Sequence, residues 1–231
     1  MIFDQITKPT LLLDQERCLR NIDRIIQKTR RQGITLRPHF KTHQSLEIGR
    51  WFRQRGVDRI TVTSVDMANY FLRDQWDDIT IAFPVNVRQV EDIKLLTTQC
   101  RLSLVVVNPE SLEILGHELK SGVHIWIKVD VGTHRTGIGP SHDDEIESLM
   151  DVMDRFPLLH FSGFLGHAGH SYGSRTKAEV EASYRQSVDI MAGLKKKYLS
   201  RYPLLLTSLG DTPGVSMTDD LRGVDELRPG N

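Results

Sequence analysis

A (β/α)8 barrel is the fold class that this 231-residue sequence predicts, and three observations predict it. Short β-branched or period-2 runs alternate with runs of 3.6-residue periodicity along the whole chain. Eight such alternations fit into about 200 residues, a density that favours a closed barrel over an open doubly wound sheet. No Gly/Ser/Pro-rich linker interrupts them, so residues 1–231 read as a single domain.

The elements follow in order. After a short run at Thr10–Leu13, a helix over 15–32 places Leu19, Ile22, Ile25 and Ile26 on one face. Strands are expected at 34–38, 58–63, 78–83, 102–107, 123–130, 159–165, 203–208 and 224–228, bounded by turn residues. Between them, helices are expected over 44–55, 65–74, 87–98, 109–120, 142–155 and 175–199. The longest carries Val180, Tyr184, Val188, Met191 and Leu194 along one stripe. Strands alternating with helices imply right-handed crossovers and a parallel sheet.

Composition narrows the function. Thirty Lys+Arg balance thirty Asp+Glu, and 39% of residues are hydrophobic, as in a soluble globular protein. A nucleic-acid binder would carry a basic excess, and Lys195–Lys197 reads as a solvated helix end. Apolar runs such as Leu104–Val107 and Leu204–Leu206 are too short to span a bilayer. Residues 1–20 lack the layout of a signal peptide. Cys18 and Cys100 form neither a disulfide framework nor a thiolate zinc motif, so a cytoplasmic setting is expected.

In a parallel barrel the active site lies at the carboxyl ends of the strands. Five such ends are rich in polar residues: 37–43 (RPHFKTH), 128–137 (KVDVGTHRTG), 166–172 (GHAGHSY), 207–213 (TSLGDTP) and 226–231 (ELRPGN). Lys41, just past the first strand, can lose its proton through desolvation and nearby cations. A neutral amine can form a Schiff base with a carbonyl compound or with pyridoxal phosphate; alternatively Lys41 is a solvated rim lysine. Gly210-Asp211-Thr212 and Arg228-Pro229-Gly230-Asn231 offer backbone N–H groups and a hydroxyl where barrels often hold a phosphate. Arg135 can bind a carboxylate or a ring oxygen, or else pair with Asp130. The pairs His39/His43 and His167/His170 lack a neighbouring third ligand and do not read as metal sites. His167 suits ring stacking or proton transfer, with Tyr172 as a hydroxyl donor.

Taken together, these five motifs resemble those of the D-threonine aldolase and D-serine dehydratase family, fold-type III pyridoxal-phosphate enzymes with an alanine-racemase-like barrel. The resemblance runs from Thr10 to Asn231. It implies that Lys41 is the catalytic lysine, bound to pyridoxal phosphate as an internal aldimine. It implies that Tyr172, Thr212, Gly230 and Asn231 contact the cofactor, mainly at its phosphate, and that Ser208 and Gly210 belong to the same cofactor site. Arg135 and His167 would lie beside the ring and an incoming D-amino acid. A lyase acting on small D-amino acids is implied, by aldol cleavage or by dehydration. A single-domain pyridoxal-phosphate carrier and an amino-acid racemase are the alternatives. Family members commonly pair as homodimers.

Three departures stand out. Gln44 replaces a second lysine, and Leu165 replaces a tyrosine found in many members. Family members also continue past the barrel into a β-rich domain whose His-x-Cys pair binds zinc or manganese. This sequence reaches Asn231 directly after the eighth strand, so the expectation is a barrel without the family's C-terminal β-domain or its metal ligands.

Overall fold

Eight parallel strands close around a polar interior in the computed structural model, which describes residues 2–230. They are β1 (Thr35–Leu36), β2 (Ile60–Val62), β3 (Asp78–Pro84), β4 (Arg101–Val106), β5 (Val123–Val129), β6 (Leu159–His167), β7 (Leu206–Gly210) and β8 (Glu226–Leu227). The ladder runs β1-β8-β7-β6-β5-β4-β3-β2. β1 is shorter than the five residues expected from sequence, because Pro38 has no N–H to give a ladder. Closure therefore falls to the residues around it. Thr61 N donates to Pro38 O and Phe40 N donates to Thr61 O, each at 2.9 Å, while His39 N donates to Pro229 O at 2.8 Å on the other side.

The helices are α1 (Gln15–Arg31), α2 (Leu46–Arg53), α3 (Val65–Leu72), α4 (Val90–Gln99), α5 (Pro109–Glu118), α6 (Asp143–Arg155), α7 (Lys177–Tyr198) and α8 (Thr212–Met217). Side-chain caps set most of their starts. Asp14, Ser45, Ser64 and Asn108 each accept a hydrogen bond from a backbone N–H in the first turn, and Thr176 with Glu179 forms a capping box. Helix α8 was not expected from Thr-Pro-Gly-Val-Ser-Met, since Gly and Val weaken a helix. Asp211 starts it by accepting from Gly214 N at 2.6 Å, with Pro213 in the first turn where its missing N–H costs nothing.

Helix α1 covers the barrel where a helix after β8 would otherwise lie. It buries Ile22, Ile26 and Thr29, and Lys28 Nζ donates to Val215 O at 2.7 Å. Gln32 holds the segment after α8 from both sides, donating to Asp219 O and accepting from Leu221 N. Residues Leu11–Leu13, ahead of α1, stay outside the core and are exposed. No described helix is long and apolar enough to cross a membrane.

Alternation within the strands separates two cores. Val123, Ile125, Ile127 and Val129 of β5 join the large apolar core under the helices. The intervening Trp126 joins Val105 and Leu165 in a separate inner cluster, and Lys128 follows it on the same face. A bulge between β5 and β6 resets the phase at Gly163, whose φ of +135° and closeness to Leu206 O leave no room for a Cβ. As a result Phe164 faces the helices and Leu165 the barrel interior.

Candidate active site

The carboxyl rim gathers the residues singled out by sequence. Phe40 is fully buried against Phe71 and Trp76, which pins the turn that carries Lys41. Lys41 itself stays open to solvent at the rim. Partial burial, then Arg135 and Arg228, hold its amine below the usual lysine range. A Cβ placed on Gly230 would sit 3.9 Å from Lys41 Cε and 3.8 Å from Thr212 Oγ1, so the bare glycine keeps a cradle open between them. Gly230 N donates to Thr212 Oγ1 at 3.0 Å, and Thr42 Oγ1 donates to Gly230 O. Asn231 lies outside the described residues.

The other side of the rim comes from β6 and β7. His167 pairs in register with Gly210, and its Nδ1 donates to Gly210 O, which leaves Nε2 as the unprotonated nitrogen. Tyr172 is exposed, its ring centroid 6.4 Å from that of His167, and its hydroxyl accepts from Thr212 N at 3.2 Å. Thr133 ties the two loops together by donating to His167 O while accepting from Gly169 N at 2.8 Å. His170 does not converge with His167; it packs over Gly132 instead.

The choice open at Arg135 is settled by Asp130. That carboxylate accepts from the backbone N–H groups of Gly132, Thr133 and His134 and meets the His134 ring at 3.3 Å. Burial opposes its charge, but those three N–H groups prevail and lower its pKa. Arg135 is left exposed and, among the described residues, unpaired. Ser208 is fully buried, its hydroxyl donating to Glu226 and accepting from Arg228, both at 2.6 Å. Its hydroxyl thus bridges Glu226 and Arg228. Gly210 serves the same arginine: a Cβ there would lie 3.2 Å from Arg228 Cβ.

Three side chains that carry no assigned role in those motifs, Lys128, His39 and Arg228, complete the site. The Lys128 side chain is buried and makes no hydrogen bond among the described residues; burial, then Arg228 and Arg135, lower its pKa to about 7. His39 is lowered to about 3 by burial and by Lys41, Arg228 and His167. His167 is lowered to about 3 by burial and by Lys128. Arg228 is the third: its guanidinium contacts neutral acceptors only, and burial lowers its pKa to about 10. The inward phase of Trp126 and Lys128 in β5 was the available signal for Lys128. For Arg228 no local pattern could have shown that it would meet no carboxylate.

Among the described residues, Lys41, Lys128, Arg135 and Arg228 have no carboxylate within 4.0 Å. Such a cluster attracts anions, and its two neutral imidazoles and lowered amines can accept protons. No three His, Cys, Asp or Glu side chains among the described residues lie together as a metal site.

Known proteins are similar to this chain in sequence and in fold. The D-threo-3-hydroxyaspartate dehydratase of Delftia sp. (strain HT23) is 27% identical over 227 residues, covering 96% of this chain and 60% of its own. Its solved structure matches with a TM-score of 0.92 at 26% identity, over 98% of this chain and 61% of that one. The D-serine dehydratase of Dictyostelium discoideum is 25% identical over 251 residues, covering 99% and 62% of the two chains. A D-threonine aldolase of Arthrobacter sp is 25% identical over 232 residues, covering 98% and 61%. The chain thus spans about 60% of the length of these relatives. The family model for the N-terminal domain of alanine racemase matches residues 13–231, and the chain belongs to that family.

Proposed function

We propose that residues 1–231 form one pyridoxal-phosphate-binding barrel of a lyase acting on β-hydroxylated D-amino acids. The observation that carries the reading is that Lys128, Arg135 and Arg228, none with a carboxylate partner among the described residues, surround Lys41, whose own pKa is lowered. The residues fit the cofactor. Lys41 is the amine that would hold it covalently, the open cradle at Gly230 beside Thr212 suits its phosphate, and Tyr172 and Asn231 would flank that phosphate. Pyridoxal phosphate, when bound, supplies an electron sink for charge developing at the α-carbon of an amino acid.

The chain's own groups do the rest. Arg135, exposed and unpaired, binds and orients the substrate carboxylate. Lys41 Nζ would accept the α-proton, and its lowered pKa keeps a larger fraction of the amine neutral near pH 7. His167 presents an unprotonated Nε2, held in that tautomer by Gly210 O. An α-proton acceptor at Lys41 favours dehydration, in which the α-proton and β-hydroxyl leave together as water. Aldol cleavage is the second reading, supported by the D-threonine aldolase relative. A carrier would need the phosphate cradle but not the unpaired Arg135.

The test is spectroscopic first. Pyridoxal phosphate added to the chain should give a visible absorbance band that borohydride abolishes and Lys41→Ala prevents. Absence of the band refutes the reading. Given the band, D-threo-3-hydroxyaspartate and D-serine should release ammonia, and D-threonine should release an aldehyde if cleavage dominates. Cofactor binding with no turnover, with or without manganese, would leave the carrier reading in its place.

A further inference from the structure

Arg228 is buried to 5% exposure, yet its contacts are two carbonyls and a hydroxyl. Nε donates to Ser208 Oγ, while Nη2 donates to Ser208 O and Gly166 O; Nη1 makes no hydrogen bond among the described residues. A serine hydroxyl has a single proton. Because Arg228 Nε must donate, Ser208 must give that proton to Glu226 Oε1. Glu226 accepts through its other oxygen from Arg37 Nε at 2.6 Å, and Arg37 Nη1 reaches Asp78 Oδ1 at 2.6 Å. A chain of hydrogen bonds therefore threads the barrel from the foot of β3 to the rim beside Lys41.

We infer that Glu226, acting through Ser208, is a positioning residue that aims Arg228 at the bound cofactor while leaving its charge available. The inference rests on the pyridoxal-phosphate reading above. Glu226 orients the Ser208 hydroxyl, so that the oxygen lone pairs face Arg228. Arg37 draws the carboxylate toward the foot, so Arg228 receives a fixed orientation without direct neutralisation. Glu226 favours the charge of Arg228 through space without touching it, while the other groups around it, Arg37, Lys41, Lys128, His39 and His167, carry no negative charge. The arginine is held rigid and cationic for a ligand to meet.

The variants Glu226→Gln, Ser208→Ala, Ser208→Thr and Asp78→Asn separate this role from plain stability. Asp78→Asn weakens the foot of the chain but touches neither Ser208 nor Arg228. In the ligand-free chain, exchange of the Arg228 Nε–H with solvent should speed up about tenfold in Glu226→Gln and Ser208→Ala. It should stay within about twofold in Asp78→Asn and recover in Ser208→Thr. With pyridoxal phosphate, the first two variants should bind about tenfold more weakly. The pH midpoint of the visible band should fall in Glu226→Gln, because losing a carboxylate makes the site more positive. Equal behaviour of Glu226→Gln, Ser208→Ala and Asp78→Asn in exchange and in the band would overturn the inference. If the parent chain gave no band, the cofactor reading would fall while the exchange data still judged the positioning role.

Discussion

The foot and the rim of the barrel hold two arginines of equal burial in opposite circumstances. Arg37, at 5% exposure, meets Asp78 and Glu226, each at 2.6 Å. Burial weakens its hold on the proton, but the two carboxylates outweigh that and raise its pKa. Arg228, also at 5% exposure, has no carboxylate in contact, and burial lowers its pKa. The foot is an internally satisfied network; the rim is a set of cations waiting for counter-charge. Burial alone therefore does not tell a structural arginine from a functional one; the partners within hydrogen-bond reach do.

The sharpest way to break this contrast is Arg37→Ala. It leaves Asp78 and Glu226 facing each other without their cation, and a buried pair broken on one side costs about 3–5 kcal/mol. Urea unfolding should show that loss, and a cost under about 1 kcal/mol would mean the foot is not a satisfied network.

Acid tests the rim next. His39 and His167 are held neutral to about pH 3 in the folded chain, whereas an unfolded imidazole titrates near its ordinary value of 6.5. Below that value the unfolded chain binds more protons, so stability is present at neutral pH and is lost as pH falls from about 6.5 toward 3. Thermal midpoints measured from about pH 8 down to about pH 5 should fall by several degrees. Amide exchange should show the loop after β6 opening before the β1–β8 pairing. Loss beginning at β1–β8 instead would place the weak point at the foot.

The smallest effect is expected at Lys128→Met. Near about pH 10 the lysine is already neutral in the folded chain, so there the substitution should change stability by no more than about 1 kcal/mol. The sign follows from titration. The folded pKa of about 7 lies below the ordinary lysine value of 10.5, so the lysine costs stability as pH falls through that window. The variant's advantage should grow from about pH 10 down to about pH 7. A strong loss of stability at every pH would show that Lys128 has a partner at the rim.

Much of this architecture was legible in the amino-acid pattern. Each of the eight expected strands appears, in parallel, because alternating β-branched runs and amphipathic helices leave few other topologies. The exceptions have local causes: Pro38 cut β1 short, and Asp211 started α8 over residues with weak helix propensity. At the site, Lys41, Arg135, His167, Tyr172, Gly210, Thr212 and Gly230 all reach one rim because strand ends carry them there. Charge pairing was the hidden part. That Asp130 would spend itself on three backbone N–H groups, and Glu226 on Arg37 and Ser208, depends on loop turns and barrel phase.

The closure of the barrel has a consequence for how the protein is made. Thr42 and Gly230 are bonded across 188 residues of chain, and His39 is bonded to Pro229. The turn carrying Lys41 leaves the ribosome well before its bonding partners, which follow 188 residues later in the chain. Contacts so distant in sequence form late, after the intervening helices and strands have condensed. The amine stays out of register with its cradle until β8 docks, so a nascent chain would acquire the machinery to capture a cofactor only once synthesis has passed Gly230.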